Sequence, residues 1–160
     1  MKNKLHNLPL RDGVGIVVLN DDNKIFVGKR IDNPKNFWQM PQGGIDNGED
    51  YYSAALRELN EETSIKSVKL IKEIDELFSY ELPSNLLGII CKGKFKGQRQ
   101  KWFIMRFTGN ENEINLKTKK PEFFEWKWIS IDEITQVVVS FKLEIYKKIQ
   151  QKIKLHLTNL

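Results

Sequence analysis

Short runs of β-branched and aromatic residues along the chain are broken by clusters of Asn, Asp and Gly, and two longer stretches carry a helical period instead. Residues 13–19 and 24–30 are β-branched runs separated by Asn20-Asp21-Asp22-Asn23, which predicts a β-hairpin. Residues 37–40 make another short strand candidate, whereas Gln42-Gly43-Gly44 and Asn47-Gly48 read as loop. Over residues 50–62 the period changes. Tyr52, Ala55, Leu56 and Leu59 recur at i, i+3, i+4 and i+7 and give a helix one apolar face, with Asp50 as its N-cap. Further strands are expected near residues 68–80, 87–91, 101–108 and 125–128. Trp38, Trp102, Trp126 and Trp128 sit in strand-like segments and are expected in the core or at its edge. Ser130-Ile131-Asp132-Glu133 has the spacing of a capping box and predicts a short helix. Phe141, Ile145, Ile149 and Ile153 then step by four along a final amphipathic helix whose other faces carry lysine. Strands mixed with a few helices, without regular alternation, predict an α+β fold.

Composition narrows the class. At 160 residues the chain has the length of one domain, with no repeat or linker to divide it. Apolar residues at 40% and charged residues at 29% exclude intrinsic disorder and collagen-like repeats. The single cysteine, Cys91, rules out an internal disulfide and fits a reducing compartment. The longest apolar runs, such as Ile16-Val17-Val18-Leu19, fall far short of the roughly 20 residues a membrane-spanning helix needs. The positive start Met1-Lys2-Asn3-Lys4 has no apolar stretch behind it, so a secretory signal is not expected and a cytoplasmic protein is. The net charge of +5 favours polyanionic partners such as nucleotides or RNA, although a lysine-rich solvated surface gives the same sum. His6 and His156 lie near the termini without metal-ligand spacing, and Cys91 lacks the histidine motif of a thiol nucleophile.

The chemistry gathers on the helix over residues 50–62. Glu58, Glu61 and Glu62 are related by i, i+3 and i+4, so they share one face beside the apolar stripe. Three like charges repel, and Arg57 is the nearby cation available to relieve them. Such an oxygen-rich negative patch suits Mg²⁺ or Mn²⁺, and a solvated acidic helix face is the alternative reading of the three glutamates alone. Gly43-Gly44 ahead of the helix lets backbone approach a metal or phosphate closely.

Taken together, the segment resembles the Nudix box. Gly43 is followed after five residues by Glu49, after seven more by Arg57-Glu58-Leu59, and after one more by Glu61-Glu62. Each matched Gly or charged position arises by chance about once in fifteen, and six at fixed spacing about once in ten million starts. Ser64 stands where the family has Gly before the aliphatic Ile65. A non-Gly residue in the left-handed conformation expected there costs on the order of 1 kcal/mol, which predicts slightly lower stability with the chemistry intact. The likeness runs over about residues 11–148. Arg11-Asp12-Gly13-Val14-Gly15-Ile16, Val27-Gly28-Lys29-Arg30 and Trp38-Gln39-Met40-Pro41-Gln42-Gly43-Gly44 are similar to the bacterial RNA pyrophosphohydrolase and dinucleoside polyphosphate hydrolase group. So are Gly97-Gln98-Arg99-Gln100-Lys101-Trp102, Pro121-Glu122-Phe123 and Val139-Ser140-Phe141-Lys142. Where that group usually has Tyr-Arg-Pro, this chain has Leu10-Arg11-Asp12.

The resemblance implies an α/β/α sandwich around a mixed β-sheet, with the box as loop–helix–loop, and metal-dependent hydrolysis of a phosphoanhydride. It implies metal ligation by Glu58, Glu62, Glu61, Glu122 and the Gly43 carbonyl, with Glu61 as ligand or water-activating base. An exposed loop acid after Pro121 is the competing reading of Glu122, and the resemblance favours the ligand. Arg57 and Glu49 are expected to hold the loop and the glutamates in place. Arg11 and Arg30 are candidates for phosphate or base contact, with Arg30 and Phe141 sandwiching a nucleobase. Phe141 also falls on the apolar face of the last helix, and packing there is the competing role. Gln98, Gln100, Lys101 and Lys142 are expected near phosphates. The implied reaction removes pyrophosphate from 5′-triphosphorylated RNA, leaving a 5′-monophosphate and promoting transcript decay. Hydrolysis of diadenosine tetraphosphate is the alternative, and a non-catalytic nucleotide or RNA sensor the remote one. DNA and membranes are not expected partners, while an activating protein partner is compatible with the reading.

Overall fold

The computed structural model describes residues 5–32, 35–89 and 93–157. Its central strand is β1 (Leu10–Leu19), where every residue from Val14 to Leu19 is buried. A strand apolar on both faces must be covered on both faces. Val14, Ile16 and Val18 pack with Ala54, Ala55 and Leu59 of α1 (Tyr51–Thr63), while Val17 and Leu19 pack with Ile145, Ile149 and Ile153 of α3 (Leu143–Leu157). The sheet is therefore the middle layer of an α/β/α sandwich. Its order is β4 (Val68–Glu81), β5 (Gly97–Phe107), β1, β2 (Ile25–Arg30) and β6 (Phe123–Ile129). The sheet is mixed: β1 and β5 run parallel, from Leu10 opposite Gly97 to Leu19 opposite Arg106, and the other pairs are antiparallel. A short helix, α2 (Ile134–Val137), precedes α3.

Local signals account for most element ends. The Asp50 carboxylate accepts from the Ser53 N–H at 2.7 Å and caps α1. Glu133 accepts from the Ser130 N–H and hydroxyl, completing the predicted capping box at a turn of 3₁₀ helix ahead of α2. Trp38 and Trp102 are buried, and Trp126 and Trp128 pack half-buried around Phe26 at the core's edge.

Several expectations need correction. Gln42-Gly43-Gly44 is a strand, β3, paired antiparallel to β1 with Val14 opposite Gly43. The missing side chains that suggested a loop are what let it lie this close. Residues 37–40 contribute a single bridge, Gln39 to Gly28. Residues 87–89 of the expected strand 87–91 form a turn, and the rest of it, with Cys91, lies outside the described residues. Tyr52 is 39% exposed and only borders Phe103. Phe141 precedes α3 in a 3₁₀ turn (Ser140–Lys142), because the chain must swing round before the helix can lie on the sheet. Among the described residues no helix is long and apolar enough to cross a membrane.

Candidate active site

Antiparallel pairing of β3 with β1 brings the loop ahead of α1 against that helix's acidic face. A Cβ on Gly43 would collide with the Glu58 carboxylate, so glycine is what permits this approach. The Gly43 carbonyl oxygen lies over Gly13, where a Cβ would come within 2.6 Å of it. Arg57 ties the pieces together. Its guanidinium donates to both Glu49 oxygens at 2.8 and 2.9 Å, to the Gly44 carbonyl at 2.9 Å, to Glu58 Oε1 at 3.0 Å and to Glu61 Oε2 at 3.1 Å. Glu49 also accepts from the Asp46 N–H at 3.0 Å, so loop, helix and carboxylates share one cation.

The three box glutamates are not equivalent. Glu61 is exposed, Glu58 is mostly buried, and Glu62 is 2% exposed. Burial pushes the Glu58 carboxyl up to about 7 against the pull of Arg57, with Glu61 and Glu122 adding to the rise. Glu62 is driven well above the ordinary carboxylate range by burial and then by the charges of Glu122 and Glu58. Among the described residues no N–H or hydroxyl donor reaches either Glu62 oxygen, and the side chain that faces them is the Glu122 carboxyl. A buried carboxylate without a partner demands a cation or a proton. The oxygen-only donor set of Glu58, Glu62 and Glu122 therefore fits a hard divalent cation. Among the described residues no three such side chains converge as a finished metal cage, and Arg57 is paired with both Glu58 and Glu61.

The residues expected to bind substrate divide between the two faces of the sheet. Arg11 lies flat on Gly44, where a Cβ would strike its guanidinium. Gln98 and Gln100 are buried on the α3 side, in a chain running from the Trp102 indole N–H to Gln100 at 3.0 Å and from the Gln100 amide to Gln98 at 2.9 Å. Lys142 is buried with them, donating to Gln39 Oε1 at 3.2 Å above the Tyr80 ring. Phe141 is half-buried, its ring 5.7 Å from that of Tyr80. Lys101 stands apart from this group: strand alternation turns it to the α1 side, where it donates to the Asp75 carbonyl at 2.9 Å and lies 3.5 Å from Glu73. Arg30 pairs with both oxygens of Asp32 at 2.7 Å, in the electrostatic reach of Glu122 and Glu62. Glu122 is exposed at the start of β6, and its carbonyl accepts from the Ile31 N–H at 2.9 Å.

Sequence reasoning gave no role to Gln39, Gln42 and Tyr80. Gln42 donates to the Tyr80 hydroxyl at 3.1 Å. Among the described residues, Gln39 Nε2 and Gln42 Oε1 are buried without partners. The signal was there in Trp38-Gln39-Met40-Pro41-Gln42, where polar residues are set into an apolar segment that the core absorbs.

The chain is 72% identical to the RNA pyrophosphohydrolase of Pelagibacter ubique (strain HTCC1062) over 148 residues, covering 92% of this chain and 94% of that one. It is 47% identical to the RNA pyrophosphohydrolase of Rickettsia typhi (strain ATCC VR-144 / Wilmington), over 92% of this chain and 91% of that one. Among solved structures, the E. coli dihydroneopterin triphosphate pyrophosphohydrolase shares the fold with a TM-score of 0.67 at 21% identity, covering 95% of this chain and 99% of that chain. A C. elegans Ap4A hydrolase binary complex superposes with a TM-score of 0.62 at 17% identity, over 89% and 98% of the two chains. The NUDIX domain profile matches residues 9–149, nearly the whole sandwich, and the chain therefore belongs to the NUDIX domain family.

Proposed function

We propose that this protein is a divalent-metal-dependent pyrophosphohydrolase that removes pyrophosphate from the 5′-triphosphate end of RNA, leaves 5′-monophosphate RNA, and so promotes transcript decay in the cytoplasm. Nudix hydrolases use divalent metal cations. The observation that carries the chemistry here is the buried, partnerless Glu62 carboxylate beside Glu58 and Glu122. The RNA substrate is supported by the name of the 72% identical relative, and the net charge of +5 is consistent with it.

We assign the residue roles on the support of this geometry. Glu58, Glu62 and Glu122 would hold Mg²⁺ or Mn²⁺, with Glu61 and the Gly43 backbone at its margin. Such a cation supplies charge neutralisation on the phosphates and Lewis-acid activation of water. Arg57 keeps Glu58 and Glu61 in register with the loop through the bonds described above. Glu61, the most exposed of the three helix glutamates, is the one that a water at the site's mouth can reach. Arg11, Gln98 and Lys142 would offer donors to the polyphosphate, with Gln100 buried behind them and bonded to Gln98. Arg30 and Phe141 flank the base at the 5′ end, and Lys101 on the far side adds general positive potential.

The test is a competition between 5′-triphosphorylated RNA and diadenosine tetraphosphate, with Mg²⁺ and Mn²⁺ in turn and Glu58→Gln as control. A higher kcat/KM for RNA, lost in the control, is expected. Preference for the dinucleotide would overturn the RNA assignment, and binding without turnover of either would make the protein a sensor.

A further inference from the structure

We propose that an aromatic–lysine patch on the α3 side of the β2–β6 edge receives the nucleotides that follow the 5′ end of a single-stranded RNA. The proposal rests on the RNA reading above. It names a surface for the rest of the chain, beyond the residues placed around the triphosphate.

The patch is built around Trp38, which is only 8% exposed and forms its floor. Two ammonium groups lie over that ring: Lys127 Nζ at 4.3 Å and Lys29 Nζ at 5.0 Å. Lys29 also reaches the Phe124 ring at 5.9 Å, so one lysine bridges two aromatics. Phe124 is 51% exposed and Phe37 is 37% exposed. Scattered exposed apolar residues need no explanation, but an open ring beneath Lys29, with a second open ring beside the indole that both lysines cover, does. The ring face attracts each cation, yet two cations over one indole repel each other. An anion laid between them relieves that repulsion. Asn36, which accepts from Lys29 at 2.8 Å, orients that amine without neutralising it. Glu125 lies opposite Lys29 across the strand pair and offsets part of the charge.

Position selects the occupant. Phe37 and Trp38 line a niche together with Arg30, which faces the 5′ end in the reading above. Phe124 lies two residues beyond Glu122, and the Glu122 carbonyl is hydrogen-bonded to the residue after Arg30. A chain whose triphosphate lies by Glu122 and whose first base lies by Arg30 therefore meets the patch next. Open aromatic faces interleaved with lysines are the recognition chemistry of single-stranded nucleic acid, because every base has a π-face and every linkage a phosphate. The niche beside Phe37 holds about 20 Å³, too little to enclose a base, and Phe124 stands open, so the patch adds affinity with little sequence preference.

The test compares a 5′-triphosphorylated dinucleotide with an eight-nucleotide 5′-triphosphorylated RNA. Wild-type kcat/KM is expected to be higher for the longer RNA. Phe124→Ala should lose at least about fivefold on the long RNA and nothing on the dinucleotide, and Phe124→Trp should restore the gain. Lys127→Ala should lower the salt dependence of long-RNA binding by about 0.7 in log–log slope. Equal wild-type activity on both lengths, as expected if the patch docks a protein, would overturn the proposal, as would a Phe124→Ala loss common to both. Failure of wild type to process either RNA would instead overturn the RNA reading itself.

Discussion

Ser64 offers a direct test of how backbone strain and a side-chain hydrogen bond offset each other. It caps α1 at φ 65°, a left-handed conformation, with its N–H donating to the Asn60 carbonyl at 2.9 Å. A residue with a Cβ pays roughly 1–2 kcal/mol there. Replacing Ser64 by Gly removes that strain but adds unfolded-state freedom worth about 0.4–1 kcal/mol. The backbone gain is therefore on the order of 0.5–1 kcal/mol, which sequence alone would turn into a higher melting temperature. The structure adds an opposing contribution, because the Ser64 hydroxyl donates to the Asn115 carbonyl at 2.8 Å. That bond is partly exposed and contributes about 0.5–1 kcal/mol. Ser64→Gly should then melt close to wild type. Ser64→Ala keeps the strain and loses the bond, so it should melt lowest. In a chain of this length 1 kcal/mol moves the midpoint by about 2–4 °C, which puts the glycine variant about 1–4 °C above the alanine variant. Calorimetry of the three proteins measures both contributions. Equal midpoints for Ala and Gly would refute the strain, and equal midpoints for Ala and Ser would refute the hydrogen bond. Turnover should stay within about twofold of wild type, since Ser64 makes no contact with the carboxylate cluster.

Three further outcomes follow from the same geometry. Glu62→Gln removes a buried charge without changing shape, so it should raise the melting temperature in chelator while lowering hydrolysis on the order of a hundredfold or more. It should also abolish the stabilisation by Mn²⁺, and a variant still stabilised by Mn²⁺ would exclude Glu62 as a ligand. Gly43→Ala drives a methyl into the Glu58 carboxylate and should cost about 1–3 kcal/mol of stability together with most of kcat, whereas unchanged kcat would mean that the approach is incidental. Glu113 is held below its ordinary 4.5 by the Ser67 hydroxyl and the N–H groups of Ser67 and Lys66. A lowered folded-state pKa contributes stability above the ordinary value that is lost as pH falls through the folded one. Glu113→Gln should therefore be less stable than wild type at neutral pH, with the gap closing in acid, and a gap that persists in acid would assign the effect to packing.

Much of the architecture was legible because it follows from short-range geometry. The apolar run in β1, the stripe on α1 and the Ser130–Glu133 box each encode their element within a few residues. The acidic face of α1 was legible for the same reason: i, i+3 and i+4 spacing puts Glu58, Glu61 and Glu62 together in any α-helix. β3 was missed because two of its three residues are glycines, which carry no strand signal until β1 pairs with them. Phe141 keeps the helical spacing of Ile145 and Ile149 while standing outside the helix, since periodicity does not mark where a helix begins.

The sequence by itself determined which carboxylates neighbour one another, and the tertiary structure decided what each of them is. Glu61 and Glu62 are adjacent on one helix, yet one is exposed and the other is sealed off beside Glu122, which comes from β6's approach some sixty residues later. Arg57 meets Glu58 and Glu61 by helix geometry, but it meets Glu49 and the Gly44 carbonyl only because the loop folds back on α1. Gln39 and Lys142 are brought together across 103 residues by packing the 37–42 segment against the turn before α3. Gln100 and Lys101 alternate faces by strand geometry alone, but the packing of α1 and α3 decides which layer each one meets. Spacing follows from covalent geometry and is local. Burial, and with it charge state and partner, depends on which distant surface arrives to exclude water.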